Sequence, residues 1–180
     1  MSKTLIILDR DGCINTKAEE GNYIYQHENF RVYEDVIETL RHPVARKFKF
    51  AIATNQQGIA KGLYTEKEVK QLHGVFLDLV GWSIDDFPIF VCPHSELDKL
   101  CDCRKPKPGL LIEALNYYEL KSNQAIFIGD SATDQEASSS ASIDFCHLRR
   151  GVFSRSLELP THRKYICHEI SPLLFEKWAS

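Results

Sequence analysis

Two carboxylates stand close together near the start of the chain, directly after a short apolar run. Asp9 and Asp11 follow the run Thr4–Leu8, and Gly12, where the chain can turn sharply, comes next. Carboxylates this close repel each other unless a cation lies between them, and Mg²⁺ typically binds one or two carboxylates together with waters and phosphate oxygens. Asp130 ends a later apolar run and could supply a third carboxylate. The pattern therefore predicts a magnesium site.

A carboxylate cluster of this kind can transfer a phosphoryl group. One carboxylate can attack phosphorus to form an aspartyl-phosphate, and a second can protonate the leaving oxygen and later activate water. Thr54 and the amides around Asn55 can hydrogen-bond the phosphoryl oxygens, while Lys105 supplies a positive charge that offsets the carboxylates. Each signal alone could be a turn, a helix cap or a solvated charge. Their joint occurrence at strand ends favours a phosphatase.

Short apolar runs alternate with amphipathic segments along the chain, which is typical of a parallel sheet covered by helices. The predicted strands are Thr4–Leu8, Phe48–Ala53, Ile89–Val91 and Gln124–Ile128, with later ones at 143–148 and 164–168. Helices are predicted over 34–41, after the capping box Thr65-Glu-Lys-Glu68, after Pro108-Gly109 and over 172–178. The fold class is therefore α/β, a doubly wound, mostly parallel sheet in one domain over residues 1–180. Ligands bind beyond the carboxyl ends of the strands in such sheets.

A second cluster combines thiol and imidazole side chains. Cys92, His94, Cys101 and Cys103 lie within one short loop and form the ligand set of a closed, tetrahedral, structural Zn²⁺ site. The alternative is a pair of ordinary loops with reduced cysteines. We predict a zinc-binding loop over residues 92–103 that holds the segment immediately downstream of it. The other cysteines are scattered in apolar surroundings and are predicted to be buried: Cys13, Cys146 and Cys167.

Four motifs resemble those of the haloacid dehalogenase-like phosphatases: Leu8-Asp-Arg-Asp-Gly12, Ala53-Thr-Asn55, Lys105 and Ile128-Gly-Asp130. The resemblance implies that Asp9 is the nucleophile, that Asp11 is the general acid and base, and that Thr54 and Lys105 stabilise the phosphoryl group. It also implies Mg²⁺ ligands from Asp9, Asp130 and the backbone carbonyl of Asp11. Asp134 is expected to support the site without binding the metal directly. The resemblance implies a Rossmann-like fold, and in 180 residues we expect no large inserted cap domain.

The cysteine cluster followed by Arg104-Lys-Pro-Lys-Pro-Gly109 is similar to a zinc-binding branch of that family, which contains heptose-bisphosphate phosphatases and histidinol-phosphatases. The segments 21–30, 57–66 and 107–109 look like the heptose enzymes, whereas the short zinc loop and Ser131-Ala-Thr-Asp134 also resemble histidinol-phosphatases. The heptose resemblance implies removal of the C7 phosphate during surface-glycan precursor synthesis. It also implies that Arg104, Asn55, Gln56 and Gln57 contact the substrate. Histidinol phosphate remains the alternative substrate.

Composition limits the possible partners. The formal net charge is −3, with acidic and basic residues mixed along the chain, so nothing suggests a nucleic-acid or membrane surface. No apolar run approaches the roughly 18 residues of a membrane span, and no signal-peptide layout precedes the first strand. We expect a cytoplasmic monomer that acts on a small phosphorylated metabolite. A non-catalytic zinc-binding module is the alternative from another class, and it would release no phosphate.

Overall fold

A six-stranded parallel sheet forms the centre of the protein in the computed structural model, which describes residues 3–19, 21–98, 100–150 and 164–179. The strands are β1 (Leu5–Leu8), β2 (Lys49–Asn55), β3 (Ile89–Cys92), β4 (Ala125–Gly129), β5 (Asp144–Leu148) and β6 (Lys164–Cys167). Their spatial order is β3-β2-β1-β4-β5-β6, and each neighbouring pair is parallel. The prediction of a doubly wound α/β fold is confirmed.

In the described part of the chain, five α-helices connect or flank the strands: α1 (Glu34–Arg41), α2 (Glu66–Val80), α3 (Gly109–Tyr117), α4 (Ala132–Ser140) and α5 (Pro172–Ala179). The predicted capping box is present at the start of α2, where Thr65 accepts from the Glu68 amide and the Glu68 carboxylate accepts from the Thr65 amide. These bonds satisfy amides that a helix start leaves without partners. The helix ends at Gly81, whose φ of 73° is left-handed.

The strand residues alternate between two hydrophobic layers. Ile6 and Leu8 of β1 pack in one layer with α1, α2 and α5, and Leu5 and Ile7 pack in the other with α3 and α4. All four side chains are fully buried, which explains why β1 appears in the sequence as an unbroken apolar run. Each such side chain contributes about 1.5–3 kcal/mol through burial. The three scattered cysteines are buried, as predicted.

The order of the strands fixes where a ligand can bind. After β1, the strands β2 and β3 are added on one side of β1, and the chain then crosses to place β4 on the other side of β1. This reversal opens a crevice at the carboxyl ends of β1 and β4, the usual ligand position in such sheets. β2 extends to Asn55, two residues beyond the predicted end, because Thr54 and Asn55 pair with Val91 and Cys92 of β3. Within the described ranges, no helix has both the length and the apolar character needed to cross a bilayer.

Candidate active site

Lys105 lies at the centre of a buried charge cluster at the carboxyl ends of the strands. Its Nζ is 2.6 Å from Asp9 Oδ1 and 2.6 Å from Asp134 Oδ1, and it donates to the carbonyl of Ala53 at 2.9 Å. The residue is 4% exposed. Burial alone would lower the pKa of Lys105, but the carboxylates of Asp134 and Asp9 raise it above its ordinary value. The ammonium group therefore stays charged and fixes the rotation of the Asp9 carboxylate.

Asp9 follows β1 and is almost fully buried. Burial raises the pKa of its carboxyl to about 7; Lys105 opposes this rise, and Asp134 and Asp130 add to it. A carboxyl group in these surroundings keeps its negative charge more easily when a further cation is near. Such a cation would also relieve the repulsion among the three aspartates.

The carboxylate oxygens around Asp9 fit a hard divalent cation. One oxygen from each of Asp9, Asp130 and Asp134 lies within 4.8 Å of the others. Asp130 Oδ1 is buried and has no hydrogen-bond partner among the described residues, while its Oδ2 is 2.5 Å from Lys17 Nζ. Oxygen ligands at this spacing suit Mg²⁺. Gly12 has a φ of 96° and no side chain, so its backbone can lie directly against the side chains of Asp130 and Lys17. A Cβ at this position would overlap both of them.

Asp11 also belongs to the cluster at the crevice, but its carboxylate has different partners. Arg10 donates to it from Nε at 3.1 Å and from Nη2 at 2.9 Å, and Asn15 donates to Oδ1 at 2.9 Å. Gln56 Nε2 donates to Oδ2 at 3.0 Å. The side chain is 28% exposed and lines a cavity of about 220 Å³ together with Lys17, Asn55, Gln56 and residues of the segment 18–24. Asp11 can therefore reach a bound molecule while donors hold its orientation.

The polar residues at the end of β2 have different positions. Thr54 is buried, and its Oγ1 accepts from Gln56 Nε2 at 2.8 Å. Asn55 holds the backbone of Lys105 at both ends, since Nδ2 donates to the carbonyl and Oδ1 accepts from the amide, each at 3.0 Å. Gln57 is half-buried and does not line the cavity beside Asp11. Substrate contacts of Asn55, Gln56 and Gln57 stay predictions.

The cysteine and histidine cluster is assembled beside this site. Cys92 Sγ is 3.6 Å from Cys101 Sγ, Cys101 Sγ is 3.3 Å from Cys103 Sγ, and His94 Nδ1 is 3.3 Å from Cys103 Sγ. Zinc ligands at the usual bond lengths stand roughly 3.5–3.8 Å apart, so the four side chains fit a tetrahedral zinc site with only small adjustments. Gly109 follows this loop, and a Cβ there would collide with the backbone of residues 102 and 103.

Arg104 follows the last cysteine and lies along the loop. Its backbone amide donates to Cys101 Sγ at 3.2 Å, and its guanidinium donates to the carbonyl of His94 and to Glu96 Oε1. The predicted role of Arg104 in substrate recognition stays a prediction. Zinc binding would hold this residue and the adjacent Lys105 in place, because the loop runs directly into both.

Three residues at the site have contacts or burial that the sequence did not specify, although Asp134 was expected to support the site. Asp134 caps α4 by accepting from the amide of Ser131, and its other oxygen lies against Lys105. The spacing Ser-x-x-Asp is the signal for that cap, but it does not predict the contact with Lys105. Arg10 turns inward and is 3% exposed, although an arginine at a turn is usually solvated. Tyr64 is buried and donates to Gln56, and nothing in its spacing indicates this contact.

Known proteins similar to this chain are phosphatases. The profile of the family described as polynucleotide kinase 3 phosphatase matches residues 4–156. A D-glycero-alpha-D-manno-heptose-1,7-bisphosphate 7-phosphatase of Campylobacter jejuni subsp. jejuni serotype O:2 is 38% identical over 144 residues, which are 79% of this chain and 80% of the relative. The D-glycero-beta-D-manno-heptose-1,7-bisphosphate 7-phosphatase of Escherichia coli K12 is 33% identical over 149 residues, 77% of this chain and 74% of the relative.

A solved structure extends the similarity to the whole fold. D,D-heptose 1,7-bisphosphate phosphatase from B. bronchiseptica, complexed with magnesium and phosphate, has a TM-score of 0.82 and 25% sequence identity, and the match covers 97% of both chains. The match to this family agrees with the resemblance that the four sequence motifs carry. The chain therefore belongs to the polynucleotide kinase 3 phosphatase family of haloacid dehalogenase-like phosphatases.

Proposed function

We propose that the protein hydrolyses the C7 phosphate of D-glycero-D-manno-heptose 1,7-bisphosphate and leaves the phosphate at C1. The observation that carries the proposal is the buried cluster in which Lys105 joins Asp9 to Asp134 beside Asp130. The choice of substrate is supported by the two relatives named as heptose-bisphosphate phosphatases, because this chain matches more than two thirds of the length of each. The product would serve lipopolysaccharide or surface-glycan precursor synthesis.

In this reaction Asp9 attacks the phosphorus and forms an aspartyl-phosphate, while the bond from phosphorus to the C7 oxygen breaks. Asp11 donates a proton to that oxygen as it leaves. In the second half, Asp11 accepts a proton from a water that attacks the phosphorus, which releases phosphate and restores Asp9. The 28% exposure of the Asp11 side chain and its position on the cavity wall support this role.

Positive charge and hydrogen-bond donors hold the transferred group. Lys105 keeps Asp9 oriented and offsets the charge of the phosphoryl oxygens. Thr54 Oγ1 accepts from Gln56, so its own hydroxyl hydrogen is available for a phosphoryl oxygen. Asp9, Asp130 and the Asp11 carbonyl would hold Mg²⁺, which supplies charge stabilisation to the phosphoryl group when bound. The magnesium and phosphate in the structurally similar heptose enzyme support this assignment.

Cys92, His94, Cys101 and Cys103 would hold Zn²⁺ in a structural role. All four positions of a tetrahedral ion are then filled by protein, which leaves no open position for substrate. The chain is proposed to act as one phosphatase domain over residues 1–180, as a monomer in the cytoplasm. Asn55, Gln56, Gln57 and Arg104 are kept as candidate substrate contacts.

Two other functions remain as alternatives. Histidinol phosphate could be hydrolysed by the same residues, and a non-catalytic zinc module would bind a partner without releasing phosphate. The test compares phosphate release with Mg²⁺ from both anomers of the heptose bisphosphate and from histidinol phosphate, with Asp9→Asn as the control. We expect strong preference for a heptose bisphosphate and no turnover in the variant. Preference for histidinol phosphate would contradict the substrate, and no release from any substrate would contradict catalysis.

A further inference from the structure

A buried hydrogen-bond chain runs from Tyr64 through Gln56 to Asp11. Tyr64 Oη donates to Gln56 Oε1 at 2.7 Å. The other end of the amide, Nε2, donates to Asp11 Oδ2 at 3.0 Å and to Thr54 Oγ1 at 2.8 Å. Gln56 is 2% exposed and Tyr64 is 4% exposed, so the protein shields these two residues from water, whereas Asp11 reaches the cavity.

The direction of the Gln56 amide is fixed from both sides. A carboxylate only accepts hydrogen bonds, so Asp11 requires the NH₂ end of the amide. The carbonyl end then requires a donor, which Tyr64 supplies. Burial raises the pKa of Tyr64 to about 12, so its hydroxyl keeps the proton that it donates. A reversed amide would place its oxygen against the carboxylate of Asp11 and lose a donor.

Aromatic packing holds the Tyr64 ring where its hydroxyl donates to Gln56. The ring of Tyr25 stacks on it with centroids 5.1 Å apart, and Tyr23 packs against it at 5.8 Å. The Tyr64 ring also lies directly against Gly58, where a Cβ would overlap the ring atoms Cε1 and Cζ and the hydroxyl oxygen Oη. The Tyr64 ring can therefore take this position only because residue 58 is a glycine.

We propose that Gln56 is a positioning residue for Asp11 and that Tyr64 sets the orientation of Gln56. The inference rests on the proposed function, in which Asp11 protonates the leaving oxygen. The donors from Gln56, Asn15 and Arg10 hold the Asp11 carboxylate toward the cavity, and Gln56 links that orientation to the phosphoryl-binding Thr54. In this role Gln56 acts on the reaction through Asp11.

The test compares two substrates that differ in how strongly the departure of their leaving group depends on a general acid. A sugar alkoxide leaves with difficulty unless it is protonated, whereas p-nitrophenolate leaves readily without a proton, so only the first depends on Asp11 in kcat/KM. For Gln56→Leu we expect kcat/KM for heptose bisphosphate to fall on the order of 10- to 100-fold, since small displacements of a catalytic group have effects of this size. For p-nitrophenyl phosphate we expect a change within about threefold, and Tyr64→Phe should show the same pattern with a smaller loss.

Two controls separate positioning from a structural defect. Tyr25→Phe removes a hydroxyl that has no hydrogen bond within the described part of the chain while keeping the stacked ring, and it should leave both substrates unchanged. In an Asp11→Asn background, Gln56→Leu should cause no further loss, because the two residues act through one group. An equal loss for both substrates, or an additive loss in the double variant, would overturn the proposal.

The proposed function is checked by the same measurements. Asp11→Asn alone should lose far more kcat/KM with heptose bisphosphate than with p-nitrophenyl phosphate. An equal loss in this variant would overturn both the acid role of Asp11 and the positioning role of Gln56. If Asp11→Asn shows the difference and both Gln56→Leu and Tyr64→Phe lack it, only the positioning proposal falls.

Discussion

The buried histidine of α2 provides a stability prediction whose size follows from the structure. His73 is 4% exposed, and its Nε2 lies 3.0 Å from the carbonyl of Phe87, which identifies Nε2 as the protonated nitrogen of a neutral ring. Burial lowers the pKa of His73 to about 4, although the hydrogen bond to Phe87 opposes this shift. The ordinary value in an unfolded chain is about 6.5. The unfolded chain therefore takes up a proton at a pH where the folded chain does not.

The sign and the size of the effect follow from this difference. The contribution of His73 to stability is fully present above pH 6.5 and is lost progressively as the pH falls toward 4. At pH 5 the unfolded ring is almost fully protonated and the folded ring is mostly neutral. Linkage then lowers the free energy of unfolding by about 2 kcal/mol relative to pH 7.5, because one pKa unit corresponds to about 1.4 kcal/mol.

Urea unfolding of the wild type and of His73→Gln at pH 7.5 and pH 5 measures this contribution. The variant keeps a polar side chain that can donate to Phe87 but does not titrate, so its loss between the two pH values should be smaller than that of the wild type by about 2 kcal/mol. His27→Gln, which changes an exposed histidine, should behave as the wild type does. Equal pH dependence in the wild type and in His73→Gln would show that the lowered pKa of His73 does not contribute to the pH dependence of folding.

Three further predictions concern the site and its support. Lys105→Met leaves two buried carboxylates without their cation, and urea unfolding should show a loss of about 3–5 kcal/mol at neutral pH without added metal; a loss below about 1 kcal/mol would contradict the buried pairs. Cys103→Ser should lower Tm by roughly 5 °C and make it insensitive to a zinc chelator, whereas a chelator that leaves the wild-type Tm unchanged would contradict the zinc site. Asp35→Asn weakens the paired contact with Arg150 and should reduce the free energy of unfolding in urea by about 1–3 kcal/mol, with an unchanged value speaking against that contact.

Much of the fold was predictable because each central strand is buried on both faces. The fully buried run of β1 and the similar runs of β2 and β4 have few other interpretations, and the polar residues that follow them had to meet at one edge of a parallel sheet. The convergence of Asp9 and Asp130 follows from that geometry, whereas Lys105 reaches them from the connection between β3 and α3. The cysteine and histidine cluster was also predictable, since its ligands lie within one short loop and need no long-range folding to meet.

The contacts that could not be predicted depend on side-chain directions in turns and loops. The pattern around Asp134 indicates a helix cap, but whether its second oxygen meets Lys105 depends on how α4 leaves the sheet. The resemblance implies that Gln56 contacts the substrate, which stays a prediction, but it gives no sign that the Gln56 amide donates to Asp11 and Thr54 and accepts from Tyr64. That arrangement depends on the loop between β2 and α2, which has no periodicity to read.

Rapid acid quench with a ³²P-labelled substrate tests whether Asp9 forms a covalent aspartyl-phosphate. The wild-type protein is mixed with Mg²⁺ and heptose bisphosphate labelled at C7, stopped within the first turnover, and digested for mass spectrometry. We expect label on the peptide that contains Asp9 in the wild type and none in Asp9→Asn. Release of free labelled phosphate without any labelled peptide, or label on another residue, would contradict the account.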